Sequence, residues 1–486
     1  MSYQVPQHIN KDKIFIVNRS EIEGRIDPHY NKPEYIELYS LLKSLKCNLS
    51  TLKEESYAIF SGITPKSGGD AYSSEPDAIP FVRSGDFSDT NTIDFSKLLY
   101  LKPDVHNGIM SASQLKKNDL LIAIVGATIG KIGIYLYDRD ANINQAICGV
   151  RLKEHINSLF VQAFYQTSIG QKIIERTKRP VARANLNLEE VGQFPIPIVD
   201  KISQEKIIGI FQKGIENKKQ KEIEAQQLLE NIDSYLLEEL GITLPESKTD
   251  LGSRFFIVSR STLDKRWDPY YSQVYFRDAF KAIESGIYPV VNLKSISELI
   301  TSGITPKSGG EAYTEDRNYG VPFIRSGNIS IDGELNYDDL LYLKPKIHET
   351  VMSSSKLKMN DLLIAIVGAT IGQVGIYLSN EEANINQAIA LVRLKENYNI
   401  QFVKELIKSS IGQLSLNRLK RPVARANINL EEIGTIRIVL PPIDKQNEIA
   451  SHILEVRQKA KALQEEGKAI LEEAKRKIET MIINVN

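Results

Sequence analysis

Apolar positions along this chain follow two different periods, and the alternation between them occurs twice. From Gln204 to Leu240 the apolar residues Ile208, Phe211, Ile215, Ala225, Leu229, Ile232 and Leu236 fall at alternating three- and four-residue steps, with charged residues in two slots. Ile449, Ile453, Val456, Ala460, Leu463, Gly467, Ile470, Ala474, Ile478 and Met481 repeat the pattern more cleanly. Sustained heptads predict coiled-coil helices, each of about 38 residues and so about 57 Å long at 1.5 Å per residue. A helix with a single apolar stripe needs a partner, and each of the two supplies one for the other. The alternative is two amphipathic helices, each lying on its own globule. Gly241 and Pro245 close the first helix. Ahead of each helix the apolar residues come in short runs instead. Leu120–Val125, rich in Ile and bounded by Asn-Asp and Gly, predicts a buried strand. Ser158–Thr177, with Phe160, Phe164, Ile169 and Ile173 near helical spacing, predicts one amphipathic helix. The expected fold is therefore mixed α/β with long helices added.

The alternation is a duplication. SGITPKSGG at Ser61–Gly69 returns at Ser302–Gly310, and DLLIAIVGATIG at Asp119–Gly130 returns at Asp361–Gly372. ANINQAI at Ala141–Ile147 returns at Ala383–Ile389, and RPVARAN at Arg179–Asn185 at Arg421–Asn427. Even the entry segments match, Phe15–Ser20 with Phe256–Ser261 and Asp27-Pro28 with Asp268-Pro269. A period of about 240 residues is too long for a solenoid; it is a domain and its linker, copied and fused. The expected division is a globule over 1–200, a helix over 201–243, a second globule over 244–442 and a second helix over 443–486.

Composition narrows the class without naming it. Hydrophobic content of 42% and charged content of 25% suit a globular protein of 486 residues. The formal net charge is zero, so a nucleic-acid-binding role requires Lys and Arg to be gathered on one face. Cys47 and Cys148 form no framework, and Cys148 aligns with Ala390. The N-terminus carries no apolar leader, and the longest apolar run, Leu120–Ile129, is too short to span a bilayer. A reduced, cytoplasmic location and no membrane contact are expected.

Several motifs resemble chemistry that they do not support. Gly126–Lys131 (GATIGK) has three residues between its glycines and Ile132 after its lysine, whereas a phosphate loop needs four and then Ser or Thr. The repeat replaces Lys131 with Gln373. His106 and His348 are equivalent, but neither has a second His or Cys at ligand spacing, so no metal site is expected. No nucleophile elbow and no zinc-protease helix occur, and Pro441-Pro442 is followed by Ile443 rather than an aromatic residue. No catalytic centre, metal or bound cofactor is expected on this chain.

What recurs is polar and basic. Lys66 and Lys307 sit in the Gly/Ser/Pro loops; Arg83, Ser84 and Asp86 are matched by Arg325, Ser326 and Asn328. Lys178, Arg179, Arg183 and Asn185 are matched by Lys420, Arg421, Arg425 and Asn427. Three cations within six residues suit phosphate gripping; the other reading is a solvated turn, or arginines bracing a helix end. Asn142, Asn144 and Gln145 have the groups to read adenine, or simply cap a turn between strands.

In this order, these segments resemble the specificity subunits of type I restriction-modification enzymes. The family's Gly-x-Thr-Pro loop, Pro-x-x-Arg-x-Gly segment, Gly-Asp-Leu/Ile strand, Gly-Ala-x-Ile-Gly turn and Asn-Gln pair look like Gly62–Pro65, Pro80–Gly85, Asn118–Leu121, Gly126–Gly130 and Asn144-Gln145. The Pro-x-x-x-Gln exit is matched loosely at Pro197–Gln204 and more closely at Pro442–Gln446, and Asn118 and Asn360 stand where the family often has Gly. The resemblance implies two target recognition domains in pseudo-two-fold arrangement, separated by two long antiparallel coiled-coil helices. Each domain would read half of a split double-stranded DNA site. Two methyltransferase subunits would bring S-adenosylmethionine, and restriction/translocase subunits would bring ATP and Mg²⁺. Near-identity of the halves implies near-palindromic half-sites, with Asp86 and Asn328 distinguishing them if Asp accepts from cytosine and Asn pairs with adenine; both residues could equally cap a turn. The rivals are a specificity subunit serving a fused methylase-nuclease or a restriction-free methylase, and a duplicated scaffold that binds no DNA.

Overall fold

The run Asp-Leu-Leu-Ile-Ala at Asp119–Ala123 is a strand in which every residue is buried, and its two faces set the plan of the first half. Alternate residues of a strand point to opposite faces. Leu120, Ile122 and Ile124 enter one apolar cluster, while Leu121 and Ala123 enter another. A strand covered on both sides reads as a continuous apolar run, which is what the sequence carries. The computed structural model describes residues 14–22, 24–75, 77–87, 93–179, 184–247, 255–258, 260, 266–307, 310–421 and 426–484. It divides into two units, Met1–Ile223 with Leu463–Asn486, and Glu224–Ala462.

Among the described residues the first unit holds nine strands: β1 (Asn48–Thr51), β2 (Ser56–Ser61), β3 (Ile79–Val82), β4 (Leu99–Leu101), β5 (Asp119–Ala123), β6 (Ile132–Tyr135), β7 (Asn142–Ile143), β8 (Ile147–Leu152) and β9 (Pro195–Ile198). An antiparallel sheet runs β2-β8-β5-β6, a second runs β4-β3-β7 with β3 and β7 parallel, and β1 pairs with β9. One face of the four-stranded sheet packs on helices that carry Phe160, Phe164 and Ile173, and on the long-helix residues Phe211 and Ile478. The segment expected to form one helix is two, Ser158–Tyr165 and Ser168–Thr177. Thr167 is extended and its hydroxyl accepts from the Gly170 N–H at 3.2 Å, capping the second helix. A Cβ at Gly170 would come within 2.2 Å of the Tyr165 Cα, so the break and the glycine belong together.

The second unit repeats this plan. The matching four-stranded sheet is Ser297–Ser302, Ile389–Leu394, Asp361–Ala365 and Val374–Tyr377, in that spatial order, and the second sheet gains the strand Tyr313–Thr314 to become four-stranded too. Leu362, Ile364 and Ile366 face one cluster and Leu363 and Ala365 the other. The helix break recurs between Ile400–Lys408 and Ser410–Leu419. Asn118 and Asn360 both have φ of 71°, a left-handed conformation in which Asn is the usual substitute for Gly.

The heptad segments are single helices, Lys201–Glu239 and Ile443–Ile483. Within the first unit their segments run antiparallel: Gly214 lies against Ala474, and Lys221 pairs with Glu466 at 3.1 Å. Lys218, in one of the two charged slots, is buried against this seam and reaches Glu222 at 3.3 Å. A Cβ on Gly467 would meet the Lys218 backbone at 3.2 Å, so the helices approach closely there. Within the second unit the direction is again antiparallel, with the Tyr235 and His452 rings 4.2 Å apart and Lys445 2.5 Å from Glu239. Among the described residues no helix is long and apolar enough to cross a membrane.

Candidate nucleic-acid interface

The motifs, scattered over more than a hundred residues of sequence, converge through backbone hydrogen bonds. The Gly62 N–H donates to the Asn144 carbonyl at 3.3 Å, and the Asn144 N–H to Val82 at 3.2 Å. The Ile124 N–H donates to Ala146, the Leu186 N–H to Ile124, and the Gly126 N–H to Ala184, at 2.9–3.1 Å. Thus the Gly-x-Thr-Pro loop, the Arg-Ser-Gly turn, the Asn-Gln turn, the Gly126–Gly130 turn and the Ala184–Leu186 segment adjoin one another. The second half repeats the set: Asn386 to Ile324, Ile366 to Ala388, Ile428 to Ile366 and Gly368 to Ala426, at 2.9–3.1 Å. Gly62 and Gly303 are required for it, because a Cβ on either would stand 1.6 Å from the carbonyl oxygen of Ile143 or Ile385. The phosphate-loop look-alike is a turn in this cluster, with Gly126 and Gly130 at φ of 72° and 95°.

Side chains predicted at the site divide into three groups. Lys66 and Lys307 are exposed, with no side-chain partner among the described residues. Ser84 and Ser326, which follow Arg83 and Arg325, are half-buried, and Asn185 and Asn427 are exposed.

A second group braces the scaffold. Arg179 forks onto Glu190 at 2.6 and 3.1 Å, and Arg421 onto Glu432 at 2.8 and 3.2 Å. Those glutamates also close capping boxes with Asn187 and Asn429, so the arginines brace helix starts. Lys178 pairs with Glu175 at 2.6 Å, while Lys420 donates to the Asn417 amide at 2.8 Å, its own pKa lowered by burial. Arg83 forks onto Asp86 at 2.8 and 3.1 Å, an arrangement that raises the pKa of the guanidinium.

The third group is withdrawn from the surface. Asp86 and Asn328, for which the sequence offers either base reading or turn capping, are each only 5% exposed. They cap the turn, accepting the Arg83 N–H at 2.8 Å and the Arg325 N–H at 2.9 Å. Asn142 is fully buried, donating to the Met110 carbonyl at 2.8 Å and facing His106 Nδ1 at 2.6 Å. Asn144 caps its own turn through the Ala146 N–H at 3.1 Å, which leaves Gln145, with Gln387 in the second half, as the exposed amide. Arg183 and Arg425 lie outside the described residues.

The entry segment was not singled out by chemistry, yet it buttresses the site. Arg25 donates to the Thr177 carbonyl at 2.7 Å and approaches Glu190 at 3.6 Å; Arg266 does the same at Leu419 and Glu432. Its signal in the sequence was the repeated Asp-Pro beside each arginine. The Gln of the Pro-x-x-x-Gln exit is a structural tie. Gln204 accepts the Asn157 N–H at 2.9 Å and Gln446 the Asn399 N–H at 3.0 Å, fixing each long helix to its globule.

Among the described residues the cluster offers an exposed primary amide and a lysine without a side-chain partner in each half, the Gln387 amide oxygen also accepting from the Thr305 hydroxyl, a set suited to phosphate and base-edge contacts. The family model for the type I restriction modification DNA specificity domain matches residues 62–228 and again 288–473, one match on each repeat. The chain belongs to this family. The curated relatives it matches are named as specificity subunits. The type I restriction enzyme EcoBI specificity subunit of Escherichia coli is 28% identical over 133 residues, which span 27% of this chain and 27% of that protein. A solved chain from work on complex assembly and conformational transition of the type I R-M system aligns over 90% of this chain and 96% of its own, at 14% identity and a TM-score of 0.47. The S subunit of a type I restriction-modification system from M. genitalium covers the same shares at 13% identity and a TM-score of 0.38. Family membership rests on the two sequence matches, not on these superpositions.

Proposed function

We propose that this chain is the DNA sequence-specificity subunit of a cytoplasmic type I restriction-modification complex. Each globule reads one half of a bipartite double-stranded DNA site, and the long helices set the spacing between the halves. The observation that carries this reading is that the family matches fall one on each repeat, and in each repeat the motif loops are joined to one another by backbone hydrogen bonds. Lys66 and Lys307 grip phosphates, Gln145 and Gln387 approach base edges, and the near-identity of the two faces favours near-palindromic half-sites. Two methyltransferase subunits with S-adenosylmethionine and restriction/translocase subunits with ATP and Mg²⁺ supply the chemistry. The test is fluorescence anisotropy of labelled duplex DNA with the chain alone and with its methyltransferase partner. Salt-sensitive binding that tightens with the partner is expected; a stable protein complex with no affinity for DNA would point to a scaffold.

A further inference from the structure

His348 sits on the short helix Pro345–Glu349 and is 1% exposed. Its Nδ1 faces the Asn384 side-chain oxygen at 2.5 Å. The Asn384 amide nitrogen is committed, donating to the Met352 carbonyl at 2.8 Å and the Ser355 hydroxyl at 3.2 Å. The Asn384 oxygen must therefore accept, which places a proton on His348 Nδ1 and makes Nε2 the ring atom that a ligand can use. That Nε2 is buried and has no hydrogen-bond partner. It points at two carboxylates, Glu382 at 3.4 Å and Glu349 at 3.6 Å. These distances exceed a normal N–H···O hydrogen bond, so neither carboxylate closes one to Nε2.

The spacing fits something between them. Ligand atoms held at ~2.1 Å around a tetrahedral ion stand about 3.4 Å apart, and the three ligand atoms here lie within 4.8 Å of one another. We propose that His348, Glu349 and Glu382 form a site for a divalent transition-metal ion of the Zn²⁺ class, present in the second half of the chain only. An imidazole oriented through its other nitrogen is the usual form of a metal-bound histidine, and one nitrogen with two carboxylate oxygens selects Zn²⁺ or Mn²⁺ over Mg²⁺. Both glutamates are well exposed, which gives the ion a path in. Bound there, it would tie the short helix to the turn that leads into Asn386-Gln387.

The first half is a built-in control. His106 is held by Asn142 in the same way, but Asn107 replaces Glu349 and the shorter Asp140 replaces Glu382, 4.0 Å from Nε2. One group opposes the site: Lys356, where the first half has Gln114, lies 2.6 Å from the other Glu349 oxygen and holds that carboxyl below its usual range.

The test is equilibrium dialysis of the full chain against Zn²⁺, with bound metal counted by mass spectrometry and affinity by calorimetry. One ion per chain is expected. Glu349→Gln or Glu382→Gln, both surface changes, should weaken it at least tenfold, and Lys356→Gln should tighten it. Asn107→Glu with Asp140→Glu should add a second ion. No bound ion in the wild-type chain would overturn the site, as would a stoichiometry that ignores the glutamate changes or the transplant.

Discussion

The arginine of the Arg-Ser-Gly turn occupies the same place in both halves, but its company differs. Arg83 is forked onto the buried Asp86 carboxylate. Arg325 meets Asn328, which cannot neutralise it; it reaches instead to the highly exposed Asp339 at 3.3 Å, and its Nε is buried with no partner among the described residues. The lysine after the second short helix shows the same divergence, with Glu175 beside Lys178 and Asn417 beside Lys420. The backbone survived duplication because Asp and Asn cap a turn equally well. What changed is how firmly each half holds its cations. In the first half a phosphate must compete with a carboxylate for the cation; in the second it competes with an amide and, at Arg325, a solvated surface aspartate.

The largest effect should be one that the halves share. Asp119 is paired with Arg151 and Asp361 with Arg393 in matching forks, with both aspartate side chains 1% exposed. Asp119→Asn and Asp361→Asn should each cost about 3 kcal/mol, the scale for breaking a buried pair. Denaturant unfolding that found one costly and the other neutral would mean the scaffolds are not equivalent.

Next comes a difference in pH response. Burial and the neighbouring Arg457 push Lys408 down to about 8, and the first half has Gln166 at this place. Between about 8 and the ordinary lysine range the unfolded chain binds the proton and the folded chain does not, so this group adds stability as pH rises through that window. Its handicap is fully present below about 8. Lys408→Gln should therefore stabilise the second unit by about 1 kcal/mol at neutral pH, with the gain gone by the top of the window. Thermal melts across that range would show it; a gain that is constant with pH would contradict it.

Charge at the turn gives a smaller effect. Asp86→Asn should keep the cap, release Arg83 and tighten DNA binding by about threefold, with a steeper salt slope by up to about 0.9. Asn328→Asp should do the reverse. Smallest of all, Lys66→Ala and Lys307→Ala should each flatten the salt slope by about 0.9 while moving stability by less than about 0.5 kcal/mol. Anisotropy titrations at several salt concentrations measure all four.

The heptad helices and the doubly buried strand were legible because their periods are properties of the chain itself. The break after Tyr165 was not, because helical spacing continues across it and only the Gly170 contact forces the corner. Burial separates the candidate site residues, and no pattern of residue types reports burial. Asp86, Asn328 and Asn142 carry groups that can read bases, but they spend them on turns and on a histidine. The gathering at His348 escaped the sequence because Glu382 lies thirty-four positions away and the first half lacks both glutamates.

The claim that both halves read DNA is tested most directly by expressing the chain with its methyltransferase partner in a methylation-free host and sequencing the methylome. The account predicts a split motif with N6-methyladenine in both arms, the arms being inverted near-copies. No new methylation despite a stable complex would contradict it, and a single unsplit motif would deny the second reading head.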